Sequence, residues 1–266
     1  MTKIKIAVAG CLGRMGQELS KKIIANNKLE FVGGFEHKKH KNINKEFNKV
    51  SEIQSSNLIH SNPTPSIKLA NVLIDFTTPQ STLENIKIAS LNKTAVVIGT
   101  TGISGAQKSK IKILSKKIPI LMSSNMSLGV NLLFNLVKQT SSALNETDYD
   151  IEIAETHHKH KKDAPSGTAL SLGDYAALGR KTSLNKSKIL DRTKKLSSRK
   201  KGDIGFSVTR GGEIAGEHTV SFIGKDDQIQ LIHKANNRSI FVDGAIKAAD
   251  WLIKQKNGFY TMKDIL

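Results

Sequence analysis

The densest group of reactive side chains in the sequence lies between residues 155 and 169. Three histidines and three lysines occupy the six consecutive positions 157–162. A histidine and a lysine so close together can deliver a proton to a bound substrate. Ser166 follows as a candidate N-cap, with Gly167 and Thr168 in the first turn of a predicted helix. The N–H groups at a helix start attract a carboxylate, so this segment predicts a site that binds and protonates an anionic substrate.

Two other interpretations of the same segment compete with this one. His157 and His160 could ligate a metal, but no second cluster with metal-ligand spacing follows, and the nearby lysines would repel a cation. A solvated charged loop would also account for the composition. The combination of a histidine and a lysine with an adjacent helix start favours the chemical interpretation, because it supplies a proton donor beside a site for an anion. We therefore expect proton delivery at this segment and no metal.

A glycine-rich turn lies between the first predicted strand and the first predicted helix. Its glycines are Gly10, Gly13 and Gly16, a G-x-x-G-x-x-G spacing that differs from the more usual G-x-G-x-x-G. An ordinary glycine-rich turn is the alternative. Glu36 ends the second predicted strand, 20 residues after Gly16, where an acid commonly accepts hydrogen bonds from ribose hydroxyls. Together these features predict a dinucleotide site. We interpret Cys11, inside the turn, as a small tolerated side chain and not as a redox group.

Two later loops fall at the carboxyl ends of predicted strands. Gly99–Gly102 follows the strand at 95–98, and Ser123–Met126 follows the strand at 118–122. Ligands of open α/β sheets gather at this edge, although turn chemistry alone would also explain both loops.

Short apolar strands and helices alternate in the first half of the chain. Strands are predicted at 4–8, 29–35, 72–76, 95–98 and 118–122, with a weaker one near 58–59. Helices are predicted at 14–27, from Pro79 onward, and at 105–117, and an exposed loop is predicted at 37–50. This order predicts an α/β fold, a Rossmann-type doubly wound parallel sheet.

The regular alternation of strands and helices ends near residue 127, which predicts a second domain. Helices are predicted at 128–145, 167–179 and 239–255, and an exposed basic excursion at 180–202. Strands are predicted at 149–153, 204–209, 218–223 and 229–233. Strands so close together favour an antiparallel or mixed sheet, and hence an α+β second domain.

The chain carries a formal net charge of +18, from 41 Lys and Arg against 23 Asp and Glu. A nucleic-acid-binding module is therefore an alternative. The charge is dispersed, however, and its densest runs, at 38–41, 159–162 and 194–201, contain no aromatics that could stack on bases. No stretch reaches the roughly 18 uncharged apolar residues of a membrane span, and no signal-peptide core precedes the first strand. With a single cysteine, we expect a cytoplasmic protein that binds neither nucleic acid nor membrane.

Several motifs together resemble the 4-hydroxy-tetrahydrodipicolinate reductase (dihydrodipicolinate reductase) family. They are the glycine turn with Arg-Met-Gly, Ile74-Asp-Phe-Thr, Gly99-Thr-Thr-Gly, Ser-Asn-Met-Ser-x-Gly-Val-Asn131, the segment 155–169, and Arg210 with Gly-Glu217-His218-Thr. They agree with the family in identity, order and spacing from about residue 4 to the C-terminus.

The resemblance implies NADH- and/or NADPH-dependent reduction of 4-hydroxy-tetrahydrodipicolinate to tetrahydrodipicolinate, in diaminopimelate and lysine biosynthesis. It also implies a homotetramer, with a dinucleotide-binding domain at 1–127 plus 237–266 and a substrate-binding and oligomerisation domain at 128–236. Another two-domain NAD(P)-dependent dehydrogenase of a small amino acid is the alternative, but the His-His-x-x-Lys and Ser-Gly-Thr pair argues against it.

The same resemblance implies roles for individual residues. His157 and Lys161 match the catalytic acid/base and proton donor, and the substrate contacts are His158, Ser166, Gly167, Thr168 and Arg238. The cofactor contacts are Gly10, Cys11, Leu12, Gly13, Arg14, Met15, Glu36, His37, Gly99, Thr100, Thr101, Ser123, Ser124, Asn125 and Met126. His37 and Thr78 stand where many relatives carry a basic residue, which leaves the preference between NADH and NADPH open. Glu36 favours NADH while residues 37–39 could pair with a 2′-phosphate, so we predict that both cofactors are used, with a slight preference for NADH.

Overall fold

The computed structural model describes residues 2–193 and 198–266, which form two compact units. Unit 1 comprises Met1–Ser127 and Ser239–Leu266, and unit 2 comprises Leu128–Arg238. The sequence places the second boundary at 237, close to this division. The assignment of cofactor to one domain and substrate to the other stays a prediction.

Unit 1 begins with alternating strands and helices. Its first strands are β1 (Ile4–Ala9), β2 (Leu29–Phe35), β3 (Ile59–His60), β4 (Val72–Asp75), β5 (Ala95–Ile98) and β6 (Pro119–Met122). Its first helices are α1 (Arg14–Ala25), α2 (Phe47–Val50), α3 (Thr64–Leu69), α4 (Pro79–Leu91) and α5 (Gly105–Leu114). Helix α4 starts with Pro79 after the N-cap Thr78, and α5 starts with a capping box between Ser104 and Gln107.

Unit 2 packs helices against one mixed sheet. Its helices are α6 (Leu128–Ala143), α7 (Gly167–Gly179) and α8 (Leu184–Ser187), and its strands are β7 (Asp150–His157), β8 (Lys188–Ile189), β9 (Ile204–Arg210), β10 (Gly216–Ile223) and β11 (Gln228–Ala235). The strand order is β11-β10-β7-β9-β8. β10 pairs antiparallel with β7 and β11, while β9 pairs parallel with β7 and β8, so the predicted mixed sheet is confirmed.

The end of the chain belongs to unit 1. It contributes α9 (Ser239–Leu252), β12 (Gly258–Tyr260) and a short 3-10 helix (Met262–Ile265). The sheet of unit 1 then has the order β12-β6-β5-β4-β1-β2-β3 with parallel pairing between the described neighbours. This confirms the doubly wound fold class. The sequence did not predict β12 or α3, which are short and lack a clear periodicity.

Apolar side chains fill the space between sheet and helices in both units. β4 and β5 are buried along their whole length, as expected for parallel strands covered on both faces. In unit 2, Val220 and Phe222 of β10 pack with α6 and α7 in the core. Each such side chain, when fully buried, contributes roughly 1.5–3 kcal/mol. Among the described residues, no helix is both long and apolar enough to cross a membrane.

Two predicted exposed segments are wrong in part. Within 37–50, Phe47 is fully buried, its ring 5.2 Å from that of Phe31 in an edge-on contact. One aromatic in a polar run thus anchors α2. Within 180–202, Leu184 is buried in the core of unit 2, and β8 pairs with β9. Residues 194–197 of the basic run at 194–201 lie outside the described residues.

Candidate active site

The glycine turn of unit 1 connects β1 to the start of α1. Gly10 adopts a positive φ of 63°, which side chains rarely adopt. Gly13 is the N-cap of α1. A Cβ atom on Gly16 would lie 2.1 Å from the carbonyl oxygen of Gly10, so only glycine fits there. The N–H groups of residues 10–13 have partners within the protein. The start of α1 is therefore the part of the turn that suits a pyrophosphate at the carboxyl edge of the sheet.

Glu36 lies beside this turn at the end of β2. Its Oε1 accepts a hydrogen bond of 2.8 Å from the N–H of Leu12, which ties the carboxylate to the turn. Cys11 is fully buried. Burial, and then the charge of Glu36, raises the pKa of the Cys11 thiol above its usual value. The thiol therefore stays protonated and unreactive, in keeping with the interpretation as a tolerated small side chain.

The other predicted cofactor residues follow β5 and β6 along the same edge. Thr100 is buried, whereas Thr101 and Ser124 are exposed. The hydroxyl of Ser123 donates to the carbonyl of Asn125 at 2.7 Å and shapes the loop after β6. The remaining residues of the predicted set are Arg14 and Met15 at the start of α1, His37 after β2, Gly99 after β5, and Met126 after β6. The sheet thus brings the predicted cofactor residues to one edge.

Helix α9 packs tightly against the loop after β6. A Cβ atom on Gly244 would lie 1.8 Å from the carbonyl oxygen of Met126, so glycine is required at this contact. The C-terminal helix therefore supports the loop at 123–126.

The reactive segment of unit 2 is built around the buried carboxylate of Glu155, on β7. Its Oε1 accepts hydrogen bonds from the N–H of Ser166 at 2.7 Å and from Nη2 of Arg210 at 3.0 Å. Its Oε2 lies 2.8 Å from Nδ1 of His157 and 3.8 Å from Nε2 of His218. The 2.8 Å contact is close, but its geometry is not that of a hydrogen bond. One carboxylate thus joins β7, β9, β10 and the start of α7.

The charges of this cluster are set by burial and by these contacts. Burial alone would raise the pKa of Glu155, but the contacts with His157, Ser166 and Arg210 outweigh it and hold the pKa below its usual value. Burial, followed by the like charge of His157, lowers the pKa of His218 to about 4. Near neutral pH the cluster therefore contains an ionised Glu155 and a neutral His218.

Three side chains of this cluster, Glu155, His157 and His218, have the types and spacing of metal ligands. Ligand-type atoms of Glu155, His157 and His218 lie within 4.8 Å of one another. Arg210 already pairs with Glu155, however, and Lys161 is close enough to lower the pKa of His218. Both cations oppose a further positive charge. The absence of a metal from the working enzyme stays a prediction.

The loop after β7 carries His158 and Lys161, and Arg238 follows β11. Nη2 of Arg238 lies 3.2 Å from Nε2 of His158, and both belong to unit 2. Nζ of Lys161 lies 2.9 Å from the carboxylate of Asp163. Hydrogen bonds from Lys161, and more weakly from the N–H of Gly167, lower the pKa of Asp163. His160 is exposed and faces Glu213 at 3.7 Å.

Helix α7 begins at the predicted position. The hydroxyl of Ser166, the N-cap, accepts a hydrogen bond of 3.1 Å from the N–H of Ala169 and lies 3.3 Å from Nε2 of His218. Gly167 is exposed, and no atom lies within 4 Å of where its Cβ would be. The helix start is therefore open to an anion. The structure brings His157, Ser166 and Gly167 together through Glu155.

Sequence reasoning missed how the motif residues cooperate. It named Glu155, Arg210 and His218 only as parts of motifs, and it did not single out Gly216. A Cβ atom on Gly216 would lie 2.9 Å from Nε2 of His157. The presence of Arg210 and His218 in motifs of their own was the available signal.

Comparison with known proteins agrees with this geometry over the whole chain. Residues 4–126 match the family model described as dihydrodipicolinate reductase, N-terminus, and residues 129–266 match the one described as its C-terminus. The chain is 45% identical over 269 residues to the 4-hydroxy-tetrahydrodipicolinate reductase of Pelagibacter ubique (strain HTCC1062), covering 100% of this chain and 99% of the relative. It is 42% identical over 269 residues to that of Zymomonas mobilis subsp. mobilis (strain ATCC 31821 / ZM4 / CP4), with the same coverage.

Among solved structures, the chain is similar to the dipicolinate-bound dihydrodipicolinate reductase from Paenisporosarcina sp. TG-14. The TM-score is 0.78 at 25% sequence identity, and 100% of each chain is covered. The chain therefore belongs to the dihydrodipicolinate reductase family, the NAD(P)H-dependent 4-hydroxy-tetrahydrodipicolinate reductases of diaminopimelate and lysine biosynthesis.

Proposed function

We propose that this chain binds 4-hydroxy-tetrahydrodipicolinate in unit 2 and that His157 and Lys161 supply the proton that accompanies its reduction. The observation that carries this proposal is the Glu155 cluster. One buried carboxylate holds His157 at 2.8 Å and the start of α7 at 2.7 Å. Glu155 thereby holds the proposed acid, His157, next to the proposed anion site at the start of α7.

The residues of unit 1 fit a dinucleotide. A Cβ on Gly16 would clash with the backbone of Gly10 and Cys11, so glycine at this position lets the turn close against the start of α1. Gly10 through Met15 would hold the pyrophosphate, and Glu36 would accept from the ribose hydroxyls. When bound, the reduced nicotinamide supplies the hydride.

The substrate carries two carboxylates, and unit 2 offers two places for them. One is the start of α7 at Gly167 and Thr168, next to the N-cap Ser166, where the helix N-terminus favours an anion. The other is the pair of Arg238 and His158, 3.2 Å apart. The dipicolinate bound to the Paenisporosarcina enzyme is such a dicarboxylate. The ion pair of Lys161 with Asp163, at 2.9 Å, places a cation beside this helix start.

His157 and Lys161 then manage the proton. Once the 4-hydroxyl has left as water, the ring contains the C=C–C=N system, and its reduction by hydride would move an electron pair toward the ring nitrogen. Lys161 is half-buried and cationic, and it stabilises that charge and donates the proton. Glu155 keeps Nδ1 of His157 directed inward and leaves Nε2 on the side of Gly216. The 4-hydroxyl of the substrate leaves as water during the overall reaction.

We also propose a cytoplasmic homotetramer that binds neither nucleic acid nor membrane. Support for self-association comes from the mixed sheet of unit 2. Ile232 and Ile223 are 52% and 38% exposed, and by register they lie on the face opposite the core residues Val220 and Phe222. Exposed apolar side chains on an uncovered sheet face suit contact with a second copy. Ile232→Lys should yield smaller particles in size-exclusion chromatography with light scattering.

A kinetic experiment tests the proposed roles. His157→Ala and Lys161→Ala should each lower kcat by about 10²-fold or more, the scale of a lost general acid. The assay uses freshly prepared 4-hydroxy-tetrahydrodipicolinate as substrate and follows the loss of nicotinamide absorbance. The affinity for NADH, measured by fluorescence, should be unchanged. Lys162→Ala, an exposed neighbouring lysine, is the matched control. Near-normal kcat with only a raised KM would instead make both residues substrate contacts.

A further inference from the structure

The carboxylate of Asp75 lies at the carboxyl end of β4 and is fully buried. Its Oδ1 accepts hydrogen bonds from the N–H and the hydroxyl of Thr77, at 3.0 and 2.6 Å. The hydroxyls of Thr82 and Thr100 lie 3.2 and 3.3 Å from the same oxygen. Oδ2 accepts from the amide of Asn85 at 2.9 Å. All of these partners are uncharged polar groups, and most of the contacts are to Oδ1.

A carboxylate is a costly choice for this position. Removing it from water disfavours its ionised form, and burial raises the pKa of Asp75 while hydrogen bonds from Asn85, Thr77 and Thr82 act in the opposite direction. A neutral side chain would fill the same space at lower cost. The carboxylate offers in return a strong acceptor for several hydrogen bonds.

Thr77 and Thr100 belong to loops at the carboxyl edge of the sheet, and Thr82 and Asn85 belong to helix α4. The N–H of Thr77, after β4, also contacts the hydroxyl of Thr100, after β5, at 3.0 Å. Thr77 in turn packs on the glycine turn, since a Cβ on Gly10 would lie 2.9 Å from its Cγ2. Strands β1, β4 and β5 are neighbours in the sheet. The hydrogen bonds of Asp75 thus join the loops after β4 and β5 to α4, and the packing of Thr77 on Gly10 brings the loop after β1 against them.

We propose that Asp75 is a positioning residue for the cofactor, whose carboxylate holds the loops after β1, β4 and β5 in the conformation that binds NADH or NADPH. The proposal rests on the cofactor placement proposed above. Because Asp75 is 0% exposed, it acts through Thr77 and Thr100 and does not touch the cofactor.

Asp75→Asn tests this role, because the amide oxygen is a weaker, neutral acceptor and the new NH2 brings an extra donor. The dissociation constant of NADH, measured by nicotinamide fluorescence without substrate, should rise by about tenfold or more, a change of about 1.4 kcal/mol. At saturating NADH, kcat should stay within about threefold, because Lys161 and His157 are untouched. A purely structural role would lower the melting temperature and leave NADH affinity unchanged. A dissociation constant within twofold of wild type in folded protein would therefore overturn the proposal.

A second pair of variants covers the case in which Asp75→Asn does not fold. Thr82 is also fully buried, and its hydroxyl bridges Asp75 and, at 2.8 Å, Thr100. Thr82→Val removes the hydroxyl at constant size and should weaken NADH binding several-fold. Thr82→Ser keeps the hydroxyl and should restore it. Equal NADH affinities for the two variants would overturn the proposal.

Gly13→Asp separates this proposal from the cofactor placement beneath it. Aspartate is a favourable N-cap, so α1 should stay folded while the new charge repels the pyrophosphate. We expect NADH binding to be lost. Unchanged binding in Gly13→Asp would show that the placement itself is wrong, whereas lost binding in Gly13→Asp with unchanged binding in Asp75→Asn would reject only the role of Asp75.

Discussion

Gly216 lies so close to His157 that a Cβ atom at position 216 would be 2.9 Å from Nε2 of the imidazole. Real Cβ atoms essentially never come so near, so the glycine at the start of β10 determines where the ring of His157 can lie. On its other side the ring is held by Glu155. The imidazole is thus placed by a carboxylate at one nitrogen and by the lack of a side chain at the other.

Gly216→Ala should therefore displace His157 and slow the reaction. We expect kcat to fall by about tenfold to 10²-fold, since a displacement of about 1 Å at a reacting group has this effect. NADH affinity should be retained. Gly211→Ala is the matched control, because nothing lies within 4 Å of its added Cβ. Equal kcat values for the two variants would show that His157 tolerates displacement and is not the proton-handling group.

Acid should destabilise the fold through His218. Burial, and then the charge of His157, lowers its pKa from 6.5 to about 4, so between these values the unfolded chain binds the proton more readily than the folded one. The contribution to stability is present above pH 6.5 and is lost as pH falls toward 4. The free energy of unfolding should decrease by at most about 3.5 kcal/mol across this window, at about 1.4 kcal/mol per pH unit. The lowered pKa of Glu155 adds a further loss only at lower pH.

Urea unfolding at pH 7, 6 and 5 checks this dependence. His218→Gln, which cannot be charged, should show a flatter decrease, whereas His160→Gln, at an exposed position, should follow the wild type. If the free energy of unfolding decreased with pH equally in the wild type and in His218→Gln, His218 would not be the source of the acid sensitivity.

Planar pyridine dicarboxylates should compete with the substrate, and removal of one carboxylate should weaken inhibition by about tenfold or more. The reason is that hydrogen bonds to a charged group contribute about 1.5–3 kcal/mol, and one set of partners would be lost. Steady-state inhibition by pyridine-2,6-dicarboxylate and by pyridine-2-carboxylate measures the ratio. Arg238→Ala should bring the inhibition constants of the two compounds closer together. The variant removes a contact that the dicarboxylate makes and the monocarboxylate already lacks. Equal inhibition by the two compounds would exclude the double carboxylate grip.

Both nicotinamide cofactors should be used, within about tenfold in kcat/KM and with a slight preference for NADH. Glu36 repels a 2′-phosphate, while His37, Lys38 and Lys39, all exposed, attract it. Exposed charge pairs contribute about 0–1 kcal/mol each, so the opposing effects nearly cancel. The structure adds that Glu36 is held in place by the N–H of Leu12 at 2.8 Å.

Steady-state kinetics with each cofactor at low and moderate salt decide this point. NADPH efficiency should fall more steeply with salt, because only the phosphate depends on the added charge pairs. Glu36→Gln should shift the preference toward NADPH. A preference beyond a hundredfold, or equal salt sensitivity for the two cofactors, would contradict this balance of charges.

The sequence by itself determined the local features of this protein. Alternation of short apolar strands with helices predicted the parallel sheet, and the glycine turn and the N-cap Ser166 predicted two helix starts that the structure contains. Such features depend on residues a few positions apart, so periodicity and capping preferences suffice to find them. The agreement of several motifs in order and spacing was enough to predict the family.

Only the tertiary structure decided which distant residues share a site. The parallel register of β7 with β9 places His157 opposite Arg210, and the antiparallel register of β10 places His218 opposite Glu155. A shift of one residue would turn these side chains to the other face. The burial of Phe47 and the loops gathered around Asp75 likewise depend on packing between segments far apart in the chain. No local pattern specifies such contacts, because they arise only when strand order and register are set.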